Sequence, residues 1–430
     1  MDYLIGRLRD PNRKSGLDDL KGGKQTMPFF TFLSTNFRFL AAGMLLAFLS
    51  SFGQTFFISL FGPEIRSTFG LSYSEWGFSY AAATTVSAVV MIWMGGLTDR
   101  FLARSLGVIV LSGLGLSCVF MALNPLAMLF PLALFLLRLF GQGMTPHLSS
   151  VAMARWFVRS RGRALAIAAV GFSIGEALLP LVFVGLKKLM SWHSLWLVAA
   201  LIIMLSIPLL MRLLAAERQP QIITETEHSA GMGGRHWTRN EVLCTPLFWM
   251  VVPLLLGPPA FNTAFFFQQA HIAEVKGWTH LALVSMFPIY TVASISAVLL
   301  SGAAVDRFGT ARLMGLYQLP MALFFLVFGG VETLVFAAPL MILIGITSGA
   351  QATIPMAFLA EFFGSRHLGS IKAAALALMV FGSALGPAIS GWLIDRDINF
   401  SNQMGGIALY AAASSLLAEA AIRKLRPSKG

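Results

Sequence analysis

Twelve long apolar runs, separated by short polar segments, make up most of the 430-residue chain. A helix of about 20 apolar residues is long enough to cross a hydrocarbon core of roughly 30 Å. The runs therefore predict twelve membrane-spanning helices, with ends placed to within about four residues. These predicted helices cover residues 39–61, 76–97, 105–123, 126–153, 163–186, 193–214, 247–270, 279–301, 311–329, 333–360, 372–394 and 404–422.

Two long polar segments divide the chain. Residues 1–36 are polar and basic and contain no apolar core, which is typical of a cytoplasmic leader and not of a signal peptide. Residues 215–245 mix charged side chains with several glycines and join two apolar regions. We therefore expect a leader, an N-terminal six-helix bundle, a cytoplasmic linker, a C-terminal six-helix bundle and a tail, at residues 1–36, 37–214, 215–245, 246–423 and 424–430.

Composition indicates a membrane protein. Hydrophobic residues make up 57% of the chain and charged residues 12%, and the mean hydropathy of +0.75 excludes a water-soluble domain of this length. The net charge of +12 could indicate nucleic-acid binding, but the basic residues are spread over short loops and form no single face. Most of the 31 Lys and Arg residues fall on the side that carries both termini. The positive-inside rule therefore predicts a plasma or inner membrane protein with both termini in the cytoplasm.

Two loop sequences are nearly copies of each other. Gly95–Arg104 and Gly302–Arg312 each follow an apolar run and share a glycine, an acid, an adjacent arginine and a second base, 207 residues apart. This pattern resembles the cytoplasmic loop signature of the Major Facilitator Superfamily of secondary transporters. The first copy has Leu102 where the pattern expects a glycine, whereas the second keeps Gly309, which leaves the turn geometry of the first loop open.

The resemblance implies an all-α fold of twelve membrane helices in two pseudo-symmetric halves, with a substrate cavity between the halves near the midplane. It also implies that the two loops latch the cytoplasmic side and set the balance between outward-open and inward-open states. The alternative is that their arginines only anchor the topology. The predicted latch residues are Asp99, Arg100, Arg104, Asp306, Arg307 and Arg312.

Internal repeats indicate that the two halves are related. Gln54–Phe57 recurs as Asn262–Phe265 at an offset of 208, and the Gly-x3-Gly pair that starts at Gly171 recurs at Gly382 at an offset of 211. Offsets this close to the 207 of the two loops predict a six-helix repeat.

Two charged side chains lie deep within the predicted helices. At a rise of 1.5 Å per residue, Arg138 lies about 18 Å from the outer end of helix 4 and Glu176 about 20 Å from the inner end of helix 5. Both therefore reach the centre of the bilayer on consecutive antiparallel helices. We expect a buried ion pair, because either charge alone would be strongly unfavourable in lipid.

Comparison of the two halves favours a functional interpretation of this pair. Glu176 corresponds to Pro387, and the positions that match Arg138 fall at Thr347–Gly349, none of which is charged. A charge that only held the repeat together would occur in both halves. We therefore expect Arg138 to bind an anionic group of the substrate and Glu176 to bind and release a proton. The alternative is a salt bridge that clamps two helices together.

Neutral polar residues inside the helices are weaker candidates, since they could bind a substrate or bond to a neighbouring helix. His147 could relay protons towards the cytoplasm, although a histidine beside a proline is more often a packing residue. The Gly257–Pro259 segment predicts a break in helix 7, either as a gating bend or as a kink whose carbonyls are satisfied by neighbours. The further predicted substrate-binding residues are Gln54, Gln142, Asn262, Tyr290 and Gln351.

Two loops indicate a branch of the superfamily. Arg155–Arg163 and Phe69–Trp76 resemble loops of monocarboxylate-porter-like members, which implies a small organic anion as the substrate. Together with Arg138 and Glu176, this resemblance predicts a monomeric carrier that moves the anion with a proton, as a symporter in the lipid bilayer.

Other functions fit the sequence less well. An ATP-driven pump or an enzyme is disfavoured because no Gly-x4-Gly-Lys-Ser/Thr or His-Glu-x-x-His motif is present, and we expect no cofactor or metal. The main alternative is a proton-coupled drug or metabolite efflux antiporter. Exporters of that type carry Gly-x3-Gly-Pro in helix 5, whereas here Gly175 is followed by Glu176. A substrate-sensing receptor built on a transporter fold is a third alternative.

Overall fold

The computed structural model describes residues 29–157, 160–215 and 230–425. Within these ranges the chain is helical and contains no β-strand. Eleven helices are long and apolar enough to span a membrane, and a bent pair of helices supplies the twelfth span. The predicted all-α architecture is therefore confirmed. Most of the predicted leader and tail, and the first part of the predicted linker, lie outside the described residues.

We number the membrane spans α1 to α12 in chain order. The bent pair is α1, composed of Phe37–Gly53 and Thr55–Phe69. The other spans are α2 (Tyr73–Met94), α3 (Ala103–Leu123), α4 (Ala127–Trp156), α5 (Arg161–Leu186), α6 (Trp192–Leu213), α7 (Pro246–Phe267), α8 (His280–Phe308), α9 (Thr310–Phe328), α10 (Leu334–Phe363), α11 (Leu368–Ile394) and α12 (Phe400–Lys424). Shorter helices outside these spans are Phe29–Thr35, Leu97–Arg100, Met232–Gly234, Arg239–Leu243 and Gln269–Val275.

Glycines let helices approach closely in both halves. A Cβ atom added to Gly171 of α5 would lie 2.0 Å from the carbonyl oxygen of Met44 in α1. A Cβ atom added to Gly386 of α11 would lie 2.0 Å from the carbonyl oxygen of Ala260 in α7. The helix pairs α1–α5 and α7–α11 thus pack backbone to backbone, as membrane helices do at small residues.

The two halves meet on the side of the membrane opposite the linker. We call this the far side, and the side that carries residues 230–245 the linker side. On the far side, Ser59 Oγ donates a hydrogen bond to the carbonyl oxygen of Phe266 at 2.7 Å, and Gln269 Nε2 donates to Ser59 Oγ at 2.7 Å. The ring of Trp76 stacks on that of Phe267 with centroids 5.0 Å apart. These contacts join α1 and α2 to the end of α7.

Asp395, just beyond α11, binds the start of α2 across the two halves. Its carboxylate accepts hydrogen bonds from the backbone N–H groups of Tyr73 at 3.0 Å and Ser74 at 2.7 Å. A carboxylate at a helix N-terminus satisfies free N–H groups and interacts favourably with the helix dipole. Partial burial opposes ionisation, but the hydrogen bonds from Ser74 and Tyr73 hold the pKa of Asp395 below its usual range. The far-side seal is therefore both apolar and charged.

Among the described residues, the hydrogen bonds that close the protein between its halves lie towards the far side. Hydrogen bonds between described residues of the two halves lie on the far side and, for Glu176 and Thr291, near mid-membrane. We find none between described residues of the two halves on the linker side. The halves are thus held together at the far ends of their helices.

The predicted gating break in α7 is wrong, and the structure instead matches the alternative in which a neighbouring helix satisfies a freed carbonyl. The helix runs without interruption from Pro246 to Phe267 although it contains the Gly257–Pro259 segment. Pro258 has no N–H group and leaves the carbonyl oxygen of Leu254 without its helical partner. The Tyr317 hydroxyl of α9 donates a hydrogen bond to that oxygen at 3.0 Å. The neighbouring helix therefore satisfies the freed carbonyl and keeps α7 continuous.

The irregular helix is α1 instead. Ser50–Gly53 forms a 3₁₀ turn, Gln54 is extended with φ −86° and ψ 156°, and the two parts of α1 bend by 48°. Gly53 lies directly against α4, because an added Cβ atom would be 2.3 Å from the carbonyl oxygen of Leu137 and 2.5 Å from Cα of Gly141. The break in α1 is thus pressed against the middle of α4.

The contact between α1 and α4 can be tested with Gly53→Ala. We expect this variant to lose about 1–3 kcal/mol of stability, because the added methyl group meets backbone atoms that cannot rotate away. Thermal unfolding in detergent measures the loss. Gly185→Ala is the matched control, since nothing lies within 4 Å of its added Cβ atom, and it should unfold like the wild type. Equal unfolding temperatures for the two variants would contradict the close contact.

The charged part of the far-side seal can be tested with Asp395→Asn. An amide has a single acceptor oxygen, so we expect hydrogen exchange at the start of α2 to become severalfold faster. Asp397→Asn is the control, because the exposed Asp397 side chain makes no hydrogen bond with a described residue. In the wild type the bond should have full strength above the usual aspartate pKa of about 3.9 and weaken as the pH falls through the lower value of Asp395. Unchanged exchange in Asp395→Asn would contradict this role.

Candidate functional site

Arg138 begins an irregular turn in the middle of α4. Residues Arg138–Met144 form a π-helical stretch, and Thr145 Oγ1 donates a hydrogen bond to the carbonyl oxygen of Phe140 at 2.6 Å. Pro146 follows and has no N–H group for the regular helical ladder. Single π turns within α-helices are rare and occur frequently at functional sites. The π-helical stretch therefore begins at Arg138, the residue that the sequence analysis selects as the anion-binding candidate.

Neutral groups of α1 and α2 surround the Arg138 side chain, which is completely buried. Its Nε donates a hydrogen bond to Thr84 Oγ1 at 3.1 Å, and its Nη1 donates to the carbonyl oxygen of Gly53 at 3.2 Å and to Thr55 Oγ1 at 3.4 Å. The guanidinium carbon lies 4.9 Å from the centre of the Tyr80 ring. The break in α1 contributes to this arrangement by exposing the Gly53 carbonyl to α4.

No negative charge balances this guanidinium among the described residues. All of its partners are neutral, and its Nη2 makes no hydrogen bond. A buried charge without a counter-ion is strongly unfavourable in a low-dielectric interior. The site is therefore chemically suited to an anion that accepts a hydrogen bond from Nη2 of Arg138.

The predicted ion pair between Arg138 and Glu176 is wrong. Glu176 of α5 instead accepts a hydrogen bond from Thr291 Oγ1 of α8 at 3.4 Å, across the two halves. The reason is that α1 stands between α4 and α5 at this depth. Arg138 contacts the Gly53 carbonyl of α1, while Gly175 of α5 packs so closely against Ser51 of α1 that an added Cβ atom would be 2.1 Å from its hydroxyl oxygen.

A second, uncharged cluster lies in the C-terminal half. Asn262 Nδ2 of α7 donates hydrogen bonds to Ser348 Oγ of α10 at 2.8 Å and to the Tyr290 hydroxyl of α8 at 3.2 Å. The hydroxyl groups of Tyr290 and Ser348 are 2.9 Å apart. Oδ1 of Asn262 is buried without a partner. The structure thus brings together two predicted site residues, Asn262 and Tyr290, around an unused acceptor.

The two clusters occupy equivalent places in the repeat. Ser348 falls within the segment of α10 that matches Arg138 of α4. Thr84, which binds Arg138, and Thr291, which binds Glu176, are 207 residues apart and correspond to each other. Each half therefore places a polar cluster at the same depth, and only one of the two clusters carries the guanidinium.

The other predicted cavity residues make fewer side-chain hydrogen bonds. Gln54 lies at the break in α1 and Gln142 in the π-helical stretch, and both are half-buried, as is Gln351 of α10. Their side chains make no hydrogen bond with a described residue. His147 Nε2 donates to the carbonyl oxygen of Gly95 at the end of α2 at 3.3 Å. This contact matches the packing interpretation of His147, and its proton-relay role stays a prediction.

Sequence reasoning missed several partners of these sites, namely Thr55, Tyr80, Thr84, Thr291 and Ser348. Hydroxyl groups inside a membrane helix usually bond to their own backbone, so a lone Ser or Thr carries little signal. The internal repeat could have identified two of them, because Ser348 corresponds to the Arg138 segment and Thr291 corresponds to Thr84.

The two loops of similar sequence turn differently. Leu102 is extended with φ −64° and ψ 144°, whereas Gly309 has φ 76°, a left-handed conformation that favours glycine. Thr310 Oγ1 at the start of α9 donates to Glu361 Oε2 at the end of α10 at 2.6 Å. Glu361 of α10 thus bonds to the start of the helix that follows the second loop.

The predicted latch residues line the linker side. Asp306 and Arg312 are exposed, and the guanidinium carbon of Arg307 lies 5.4 Å from the centre of the Phe308 ring. In the first loop Arg100 is exposed and Arg104 is half-buried, while the side chain of Asp99 lies outside the described part of the structure. Their role as a latch stays a prediction.

No group of three or more His, Cys, Asp or Glu side chains within residues 29–157, 160–215 and 230–425 is arranged to hold a metal ion. The two clusters offer hydrogen bonding and, at Arg138, charge pairing, and the Glu176 carboxyl lies outside both clusters.

Comparison with known proteins places this arrangement in a family. The sequence profile of the Major Facilitator Superfamily matches residues 43–387 and 270–429. No curated protein sequence matches the chain. Solved structures resemble its fold: a bacterial homologue of the human lysosomal transporter Spinster, inward-facing and unoccupied, has a TM-score of 0.68 at 16% identity over 94% of this chain and 100% of that one. The nucleoside transporter NupG has a TM-score of 0.65 at 16% identity over 90% and 98%. The chain belongs to the Major Facilitator Superfamily and is a multi-pass membrane transporter, not an enzyme.

Proposed function

We propose that this transporter carries a small organic anion, similar to a monocarboxylate, by alternating access and together with a proton. The observation that carries the proposal is the completely buried Arg138 guanidinium, which has neutral partners and an unused Nη2. A carboxylate is the natural complement of such a group, because it accepts two hydrogen bonds from the planar fork and neutralises its charge.

Access to Arg138 requires movement of the groups that enclose it. The hydroxyl groups of Thr55 and Tyr80 hydrogen-bond to each other, and both residues also contact the guanidinium. We infer that these two side chains separate when the substrate enters. The break in α1 beside Thr55 supports this inference, since discontinuous helices line the substrate sites of many transporters.

The C-terminal cluster supports a second contact with the same substrate. Oδ1 of Asn262 is an unused acceptor, and Nδ2 of Asn262 is held by Ser348 and Tyr290. A hydroxyl or N–H group on the substrate would satisfy Oδ1. An anion with such a donor would therefore contact both halves. Contacts with both halves would make the binding affinity depend on how the halves are placed, and binding would then be coupled to their movement.

Glu176 is the proposed proton site. It lies in α5 of one half and binds Thr291 in α8 of the other, and no basic side chain among the described residues pairs with it. A buried carboxylate without a cation is unfavourable, and binding a proton removes its charge. Because Glu176 bridges the halves, proton binding and release would change a contact that must break during transport.

The proposed orientation follows from the basic residues. If the positive-inside rule holds, the linker side and both termini are cytoplasmic, and the far-side seal closes the protein to the exterior. The conformation would then be inward-facing, like the Spinster homologue. We further propose a plasma or inner membrane location and a monomer, with each protomer containing a complete site.

The anion site can be tested by transport into proteoliposomes with a panel of labelled carboxylates. We expect Arg138→Ala to reduce carboxylate uptake at least about tenfold, the scale of one lost charge-assisted hydrogen bond. Arg138→Lys should also be impaired, because an ammonium group lacks the planar fork. Arg396→Ala is the control, since Arg396 is exposed and contacts the ring of Trp392. Normal uptake by a folded Arg138→Ala protein would refute the anion site.

The proton role can be tested with Glu176→Gln, which keeps an oxygen for the Thr291 hydroxyl but cannot release a proton. We expect this variant to exchange substrate between the two sides yet fail to accumulate it under an imposed pH gradient. Accumulation equal to that of the wild type would refute the proton role. Resistance to toxic compounds in a sensitive host, without carboxylate uptake by the wild type, would instead favour an efflux antiporter.

A further inference from the structure

A long groove lies on the outer surface of the C-terminal half, away from the site described above. It has a volume of about 830 Å³ and runs between α8, α9 and α10. Its walls include Ser296 and Ala297 of α8, Leu316 of α9 and Ile346 of α10. A volume of this size is typical of pockets that hold a small molecule.

The groove opens to the lipid and not to the interface between the halves. Its α9 wall belongs to a helix that packs against α10 and α12 of its own half. Its α8 wall includes Val292 and Leu300, whose side chains are 64% and 69% exposed. Along α8 the lining runs from Pro288 to Ala304, which corresponds to about 24 Å. The groove therefore extends through most of a hydrocarbon core of about 30 Å.

The groove selects for an apolar occupant. Three hydroxyl groups lie along it, and two of them are engaged within the protein. Ser296 Oγ donates to the carbonyl oxygen of Val292 at 2.9 Å, and the Tyr317 hydroxyl donates to that of Leu254 at 3.0 Å. The remaining wall is almost entirely aliphatic. A chain of methylene groups is the chemistry that such a surface accommodates.

Small side chains on α8 create the groove. Comparison with the equivalent helix α2 shows that only the C-terminal half has small residues at these two positions. Ser296 and Ala297 correspond, at the offset of 207, to Val89 and Val90 in α2. The N-terminal half therefore carries bulkier side chains at the positions where the C-terminal half leaves space.

Two arginines lie at the linker-side end of the groove. Arg307 is one helical turn beyond the lining residue Ala304, and Arg312 is one turn before the lining residue Leu316, so each shares a helix face with the groove. Both side chains are exposed. Arginine recognises phosphate through two parallel hydrogen bonds. The groove thus combines a long apolar channel with a cationic mouth.

We propose that this groove binds an acyl chain of a membrane phospholipid from the linker-side leaflet, with the lipid phosphate at Arg307 and Arg312. The apolar length matches the chain, and the two cations match the phosphate. A soluble anion would have no use for the apolar walls, and an uncharged alkyl compound would leave the arginines unused. This assignment does not depend on the substrate proposed for Arg138.

Photocrosslinking tests the proposal on the full-length protein in nanodiscs of phosphatidylcholine and phosphatidylglycerol. The probe is phosphatidylglycerol with a diazirine in its acyl chain, and mass spectrometry identifies the labelled peptides. We expect the wild type to be labelled on α8, α9 and α10 at the groove. Ser296→Phe fills the groove and should reduce this labelling about tenfold. This is the loss of affinity expected when about two methylene groups of the lipid chain can no longer be buried in the groove.

Ala303→Phe is the matched control, because Ala303 is exposed on α8 but does not line the groove, and it should leave labelling unchanged. Ser296→Leu fills less space and should give an intermediate loss if Ser296→Phe is poorly folded. Replacing both Arg307 and Arg312 by glutamine should lower labelling severalfold.

Equal labelling of Ser296→Phe and Ala303→Phe would overturn the proposal, since the lipid would then be part of the general annulus. Labelling unaffected by loss of both arginines would overturn the phosphate contact. Crosslinks between two copies of the chain at this groove, in place of lipid, would assign the surface to a dimer and also overturn the proposal.

Discussion

A single uncompensated charge at the centre of the membrane dominates the organisation of the N-terminal half. The Arg138 guanidinium cannot remain in lipid without partners, and the described chain supplies three neutral acceptors and one aromatic ring. Two of these acceptors, the Gly53 carbonyl and the Thr55 hydroxyl, lie at the break of α1 beside Gln54, and Arg138 itself begins the π-helical stretch of α4. Two departures from regular helix geometry therefore surround one side chain. Such departures cost backbone hydrogen bonds and are retained where the surrounding structure holds them in place.

The two halves use one architecture for different chemistry. Equivalent positions of the repeat provide a charged cluster around Arg138 and a neutral cluster around Asn262. The carboxyl group of Glu176 belongs to neither cluster and instead bonds to Thr291 across the halves. An interface that must open and close is a suitable place for a group that changes charge, because the charge alters the strength of the contact. The far-side seal also holds the two halves together in this conformation, because Asp395 of the C-terminal half caps the start of α2.

The same asymmetry between the halves extends to the outer surface. Small residues on α8 leave a groove that bulkier residues of α2 would occupy, and the second loop places two arginines at the mouth of that groove. The loop arginines thus have two candidate roles, as a latch between states and as a phosphate site. The roles are compatible, because a lipid held at a helix end that moves during transport would respond to the conformation of the protein.

The amino-acid sequence by itself determined the number of membrane spans, the division into two related halves and the position of Arg138 and Glu176 in the middle part of their helices. These properties depend on run length, on repeat offset and on a rise of 1.5 Å per residue, all of which can be counted along the chain. The tertiary structure decided which side chains meet. Arg138 and Glu176 both lie in the middle part of their helices but are separated by α1. The helix α7 stays continuous because the Tyr317 hydroxyl satisfies the Leu254 carbonyl. The physical reason is that depth follows from position along one helix, whereas the direction of a side chain depends on how neighbouring helices pack around that helix.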